Sequence, residues 1–153
     1  MDYCAHCKNP SAALRCSACH AVLYCNADHQ KADWKTHKPV CQLLRKAVQN
    51  GGYEKVVHKE GSGKKPNRGD TVRMKYAGKL PSGKQFDAGD SFEFQLGIGQ
   101  VIRGWDEGVA TMSEGEEATL YITPDYAYGH RGAPGAIPPD AYLIFDVTLL
   151  KIL

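Results

Sequence analysis

Beyond Cys41 the sequence contains no cysteine, although six lie within residues 4–41. A disulfide framework is therefore excluded for most of the chain. It also has no apolar run near the roughly 20 residues that span a bilayer, so no membrane partner is expected. The opening Met1-Asp2-Tyr3-Cys4 offers neither a basic start nor an apolar stretch and does not read as a secretory signal. Excess charge is missing too. Nineteen Lys and Arg against 17 Asp and Glu leave +2 over 153 residues, too little to argue for nucleic acid. Residues 1–50 hold seven Lys/Arg and three Asp/Glu, whereas residues 51–153 hold 12 and 14. The front balance is thus only +4, and its basic bias is weak. Large aliphatics are scarce before residue 41, and such a segment needs a staple rather than a core of its own.

The six cysteines supply that staple. Cys4 and Cys7, then Cys16 and Cys19, form two Cys-x-x-Cys pairs, followed by Cys25-x-x-x-His29 and His37-x-x-x-Cys41. Disulfides would need an oxidising compartment; without an export signal, and with histidines interspersed, the pattern favours metal. Eight sulfur and nitrogen donors make two closed tetrahedral zinc sites, structural rather than catalytic because neither keeps an open position. His6 and His20 read as solvated. The paired cysteines and the stretch Tyr24-Cys25…Gln30…Trp34…His37…Cys41 resemble the MYND finger family over residues 4–41. The resemblance implies interleaved sites: Cys4, Cys7, Cys25 and His29 in one, Cys16, Cys19, His37 and Cys41 in the other. His29 stands where the family normally has cysteine. The family also implies binding of proline-containing protein partners, with Gln30 and Trp34 as contacts; the bland alternative is that Trp34 packs the helices together.

Helical spacing is expected over Ala27–Trp34 and again over Val40–Val48, ending at Asn50-Gly51-Gly52. Apolar residues then alternate in Thr71–Tyr76, Ser91–Leu96 and Tyr142–Leu149, which predicts an antiparallel sheet covered on one side. Val101, Ile102, Trp105, Val109 and Met112 fall at helical steps and predict a short helix over that face. Loops are expected at 61–69 and 129–139. His58 and His130 read as surface residues, and Glu114-Gly115-Glu116-Glu117 as a solvated turn.

Four motifs carry the rest: Gly83-Lys84-Gln85-Phe86-Asp87, Val101-Ile102-Arg103-Gly104-Trp105-Asp106-Glu107-Gly108, Pro124-Asp125-Tyr126-Ala127-Tyr128-Gly129 and Ile137-Pro138-Pro139. In this order they resemble FKBP-type peptidyl-prolyl cis–trans isomerases across residues 51–153. The resemblance implies an antiparallel half-barrel of five or six strands around one helix. It further implies a pocket of Tyr76, Phe86, Asp87, Phe94, Val101, Ile102, Trp105, Tyr128, Ile137 and Phe145. Trp105 would be the floor; Tyr76, Phe86 and Phe145 the sides. The Ile102 N–H and the Tyr128 hydroxyl would hold substrate carbonyls. Asp87 would act by direct electrostatics or by ordering Tyr76. Phe94 and Phe145 read equally as core. The short Ala88-Gly89-Asp90-Ser91 segment and Ala136 depart from the family and suggest a more open rim.

The expected fold is thus α+β: an FKBP-like antiparallel half-barrel (residues 50–153) behind a cross-braced two-zinc helical module (residues 1–49). The expected function is isomerisation of X–Pro bonds in protein clients, with recruitment through the finger. The alternative is a proline-peptide or chaperone adaptor with little turnover. Two structural zinc ions are expected, and none for catalysis. Partners would be X–Pro peptides, macrolide inhibitors and a proline-containing ligand of the finger, for a monomer in the cytoplasm or nucleus.

Overall fold

Asn26 begins the longest element. Its backbone is extended, and its side-chain oxygen accepts the His29 N–H at 2.9 Å, satisfying a donor that a helix start leaves unpaired. From there helix α1 runs over Ala27–Gln49 without interruption. The sequence predicts two helices here; the computed structural model, which describes residues 3–10 and 12–153, joins them. Met1 and Asp2 of the opening stretch lie outside the described residues. Pro39 inside α1 removes one backbone donor. The carbonyl so released belongs to Lys35, an exposed residue. Buried His37, Cys41, Leu44 and Ala47 meanwhile hold both halves on one face. Asn50 caps the end, and Gly51 takes the left-handed backbone (φ 87°) that terminates helices.

Two short strands precede the helix, β1 (Leu14–Arg15) and β2 (Leu23–Tyr24), paired antiparallel. The remaining strands are β3 (Tyr53–Lys59), β4 (Thr71–Lys79), β5 (Gln85–Gln95), β6 (Glu117–Ile122) and β7 (Leu143–Ile152). They form one five-stranded antiparallel sheet in the order β3-β6-β7-β4-β5. The short helix α2 (Arg103–Gly108) and one 3-10 turn (Val109–Thr111) lie over its concave face. Val101 and Ile102 precede the helix and Met112 follows it, so its regular part is shorter than the apolar spacing suggests. Gly104 lets α2 approach β6, since a Cβ there would lie 2.7 Å from Ile122. Trp105, Val109 and Met112 join Leu120, Ile122, Leu143 and Phe145 in a single core.

The convex face is not left to water. A second buried cluster contains Cys4, Cys16, Cys19, Val22, Tyr24, Cys41 and Leu44, and Tyr121, Tyr142 and Ile144 pack against it. The finger therefore sits on β6 and β7, which corrects the one-sided sheet expected from the alternation. Only Asn50, Gly51 and Gly52 separate α1 from β3, and the N–H groups of all three bond back to α1 carbonyls.

The acidic turn is also more than a solvated stretch. Glu116 is 6% exposed; it takes the Lys55 ammonium at 2.8 Å and the Ser113 N–H at 3.3 Å. The Glu114 carboxylate accepts the Ile152 N–H at 2.8 Å. A half-lost charged pair leaves Lys55 poorly satisfied, so Glu116→Gln should lower stability by about 1–3 kcal/mol in chemical denaturation. His58 and His130 are exposed, as expected, but each has a partner: Thr119 Oγ1 at 2.6 Å and the Asp140 carboxylate at 3.0 Å.

Candidate functional site

Two constellations stand out, on opposite faces of the sheet. The first is the thiol–imidazole set. Cys4, Cys7, Cys25 and His29 bring their donor atoms within 4.8 Å of one another, and so do Cys16, Cys19, His37 and Cys41. These are the two interleaved groups that the sequence resemblance implies. Measured edges are 3.5 Å for Cys4–His29, Cys7–Cys25 and Cys19–His37, and 4.0 Å for Cys16–Cys41. A tetrahedron with bonds of ~2.3 Å to sulfur and ~2.0 Å to nitrogen has edges of about 3.5–3.8 Å. A disulfide would need ~2.05 Å. The donor sets therefore fit a tetrahedral cation and not a cross-link.

Electrostatics point the same way. Burial, then the charges of Cys19 and Cys16, push the Cys41 thiol up to about 12. The hydrogen bond with Cys7, then burial, pushes Cys25 up to about 11. Burial also raises Cys4, but the backbone N–H groups of Cys7 and Cys25 outweigh it and bring the thiol down to about 6. Sulfurs this close cannot all ionise without a counter-charge among them. Burial lowers His37, although the Asp33 charge opposes it, and a neutral imidazole is the form that ligates. The second group is wholly buried, whereas Cys7, Cys25 and His29 are partly or fully exposed. His6 and His20 are exposed and outside both sets; the His6 ring leans on that of His29 at 4.9 Å.

The second constellation is an aromatic cavity of about 170 Å³ on the concave face. That is below the ~300–1,000 Å³ of drug-sized sites and suits one small ring. Its lining is Tyr76, Phe86, Asp87, Phe92, Gln100, Val101, Ile102, Trp105, Tyr128 and Phe145. Eight of the ten residues expected from the sequence are thus brought together. Phe94 and Ile137 are not in the lining. Phe94 is buried beneath it, stacked on Phe92 at 5.8 Å and tilted against Trp105 at the same distance. Ile137 is buried in the core, bridged to Ala133. Phe92 and Gln100 are the additions. The signal for Phe92 was present, since it alternates with Phe94; nothing in the sequence singled out Gln100, whose amide oxygen accepts the Gln95 N–H at 2.8 Å.

Trp105 is placed by α2 and 4% exposed. Tyr76 and Phe145 meet it edge-on at 5.0 and 5.3 Å, and Phe86 meets Phe145 edge-on at 5.5 Å. Its indole Nε1 is buried without a hydrogen-bond partner among the described residues. Asp106, the next residue on α2, accepts the Gly97 and Gly99 N–H groups at 2.9 and 3.0 Å. That pins the loop leading to Gln100 and Val101. Polar groups gather at one edge. The Tyr76 hydroxyl donates to Asp87 Oδ2 at 2.8 Å, and the Ala88 N–H donates to Oδ1 at 2.8 Å. Burial, then this bond, pushes Tyr76 up to about 12. Burial, then the Asp87 charge, also raises Tyr128, so both hydroxyls keep their protons at neutral pH.

The segment after Asp87 is not a loop. Strand β5 continues through Ala88–Ser91 with one register shift opposite Met74 and Tyr76. Gly78, on the neighbouring strand, gives the side walls their room: a Cβ there would lie 2.6 Å from Phe145 and 2.7 Å from Phe86. Gly78→Ala should displace both rings and reduce kcat/KM on a short X–Pro peptide by about tenfold, the order expected when reacting groups are misplaced by a fraction of an ångström.

Comparison with known families agrees with this geometry. Residues 62–150 match the FKBP-type peptidyl-prolyl cis-trans isomerase family, and residues 4–41 match the MYND finger. A curated relative from Schizosaccharomyces pombe, named peptidyl-prolyl cis-trans isomerase, is 54% identical over 106 residues, covering 66% of this chain and 95% of the relative. FK506-binding protein 1 of Gibberella zeae is 54% identical over 110 residues, covering 66% and 98%. FK506-binding protein 1 of Dictyostelium discoideum is 50% identical over 103 residues, covering 65% and 96%.

Proposed function

Because the chain belongs to the FKBP-type peptidyl-prolyl cis–trans isomerase family, with a MYND finger over residues 4–41, we propose that the Trp105 cavity is where it turns X–Pro bonds. The observation that carries this is the closed set of rings over Trp105, with hydroxyls and one carboxylate at a single edge.

The barrier to be lowered is that of a peptide bond, about 18–20 kcal/mol, and arises from lost amide resonance. A twisted imide is less polar than a planar one. A cavity walled by Tyr76, Phe86, Phe92, Trp105 and Phe145 withholds water from the planar ground state and so favours the twisted form. No nucleophile is needed. The proline ring rests on Trp105. The Ile102 N–H and the Tyr128 hydroxyl hold the flanking carbonyls. Asp87 already has both oxygens engaged, so it acts mainly by fixing Tyr76, and its charge lies beside the bond that turns. Macrolides of the kind named in the relatives would compete for the same cavity, with a rim opened by the uninterrupted β5 and by exposed Ala136.

Zinc is the cation the donors fit: one ion held by Cys4, Cys7, Cys25 and His29, another by Cys16, Cys19, His37 and Cys41. When bound it supplies structural cross-bracing. On the outer face of the finger, α1 presents Trp34, 42% exposed, beside Ala27, Gln30 and Lys31. That shallow apolar surface supports recruitment of a proline-containing partner. Thiols left free for metal suit the cytoplasm or nucleus.

An assay of cis–trans exchange on a short X–Pro peptide tests the catalytic reading. Catalysis above the spontaneous rate supports it. A folded protein that binds the peptide without accelerating exchange would favour the adaptor instead.

A further inference from the structure

We propose that the finger also positions the isomerase pocket, with Tyr3 clamping the hairpin that carries Phe86 and Asp87. This rests on the Trp105 cavity being the catalytic site. A finger that only recruited clients would leave turnover of a short peptide indifferent to it; a docked finger does not.

The hairpin tip between β4 and β5, residues 80–84, leads within a few residues into Phe86 and Asp87. It faces the finger across a cleft of about 340 Å³, walled by Ala5, Lys8 and Val40 on one side and by Leu80, Pro81 and Gly83 on the other. The Tyr3 ring lies against Lys8 of the cleft wall. Lys8 Nζ of the finger lies 5.1 Å from its centroid, and Lys84 Nζ of the hairpin lies 5.5 Å from it. One ring is thus shared by a cation from each module, and such contacts act over about 6 Å.

The seat behind the clamp is apolar. Val40 and Leu44 of α1 belong to the cluster that Tyr121, Tyr142 and Ile144 join. The metal-site residues His37 and Cys41 lie on the same buried face of α1 as Leu44, so a bound cation fixes the seat as well as the finger. On β7, Ile144 packs on the finger and Phe145 lines the cavity. Successive strand residues point to opposite faces, so the finger and the pocket wall bear on adjacent residues of one strand. Together these contacts hold the two strands, β5 and β7, that supply Phe86, Asp87 and Phe145.

The test uses the full-length, zinc-loaded protein. Amide exchange of residues 80–88 is measured together with kcat/KM on a short X–Pro peptide, for wild type, Tyr3→Ala and Tyr3→Phe. Tyr3→Ala should exchange at residues 80–88 roughly three- to tenfold faster, as a locally released segment does. It should also lose roughly threefold in kcat/KM through misplacement of Phe86 and Asp87. Zinc content should stay at the wild-type value. Tyr3→Phe keeps the ring between the lysines and should restore both readings. Wild-type exchange and wild-type kcat/KM in Tyr3→Ala would overturn the proposal while leaving the isomerase intact. So would loss of zinc in Tyr3→Ala, or failure of Tyr3→Phe to restore. An inactive wild type would instead overturn the catalytic reading, and this proposal with it.

Discussion

Trp105→Ala is expected to lower kcat/KM on a short X–Pro peptide by about 100-fold, or ~2.7 kcal/mol of transition-state stabilisation. The indole is the shared neighbour of Tyr76, Phe92, Phe94 and Phe145. Removing it takes away the surface on which a proline ring would rest. It also lets water into a cavity whose effect depends on being dry. Truncation of a buried tryptophan costs about 3–5 kcal/mol of stability, so the loss must be separated from unfolding. Trp105→Phe does this. It keeps an apolar aromatic floor, smaller than the indole, and removes Nε1, which has no partner among the described residues. It should retain activity within about tenfold of wild type, since an aromatic surface still underlies the cavity and the swap changes the volume far less than truncation to alanine does. Calorimetry on both variants, beside the exchange assay, checks the separation. Equal losses in the two variants would mean that an aromatic floor alone does not carry the effect and the full indole is required.

Metal removal should have the other large effect. The buried cluster of the finger consists of Cys4, Cys16, Cys19, Val22, Tyr24, Cys41 and Leu44. Four of these seven are ligands of the proposed zinc sites, so the apolar remainder cannot hold the finger alone. Structural zinc contributes on the order of 10–16 kcal/mol in small modules. A strong chelator should therefore unfold residues 4–41 and bare Tyr121, Tyr142 and Ile144 on the sheet. Hydrogen exchange and elemental analysis read this directly. Cys41→Ser, in the buried set, should drop zinc content from two per chain to one. Acid should act in the same direction. Burial holds His37 below its ordinary value, so at low pH the unfolded chain binds a proton that the folded chain resists. The associated stability is present above a pH of about 6.5 and is lost as pH falls through the lower folded value.

Much of this was legible in the sequence, for identifiable reasons. Cysteine spacing is a local signal, and the eight proposed ligands form two groups whose donors face one another. The pocket motifs were equally legible, because each lies where an element begins or ends. Gln85-Phe86-Asp87 opens β5, and Trp105 lies in the first turn of α2. What the sequence hid came from packing between modules. Strand β6 escaped the alternation test because Ala118, Thr119, Leu120 and Ile122 are all buried and Tyr121 is covered by the finger. Strand β3 escaped it because it alternates poorly, with intermediate burial along half its length. The gap between the two helical patterns is bridged because His37 and Cys41 are buried on either side of Pro39. Glu116 looked solvated because its partner, Lys55, lies 61 residues away.

The most direct measurement is cis–trans exchange in a short X–Pro peptide, followed by NMR with full-length, zinc-loaded protein. The aromatic cavity over Trp105 should accelerate exchange well above the spontaneous rate, which takes tens to hundreds of seconds. A macrolide or Trp105→Ala should remove most of that acceleration. Spontaneous exchange in the presence of folded, zinc-loaded protein would contradict the assignment.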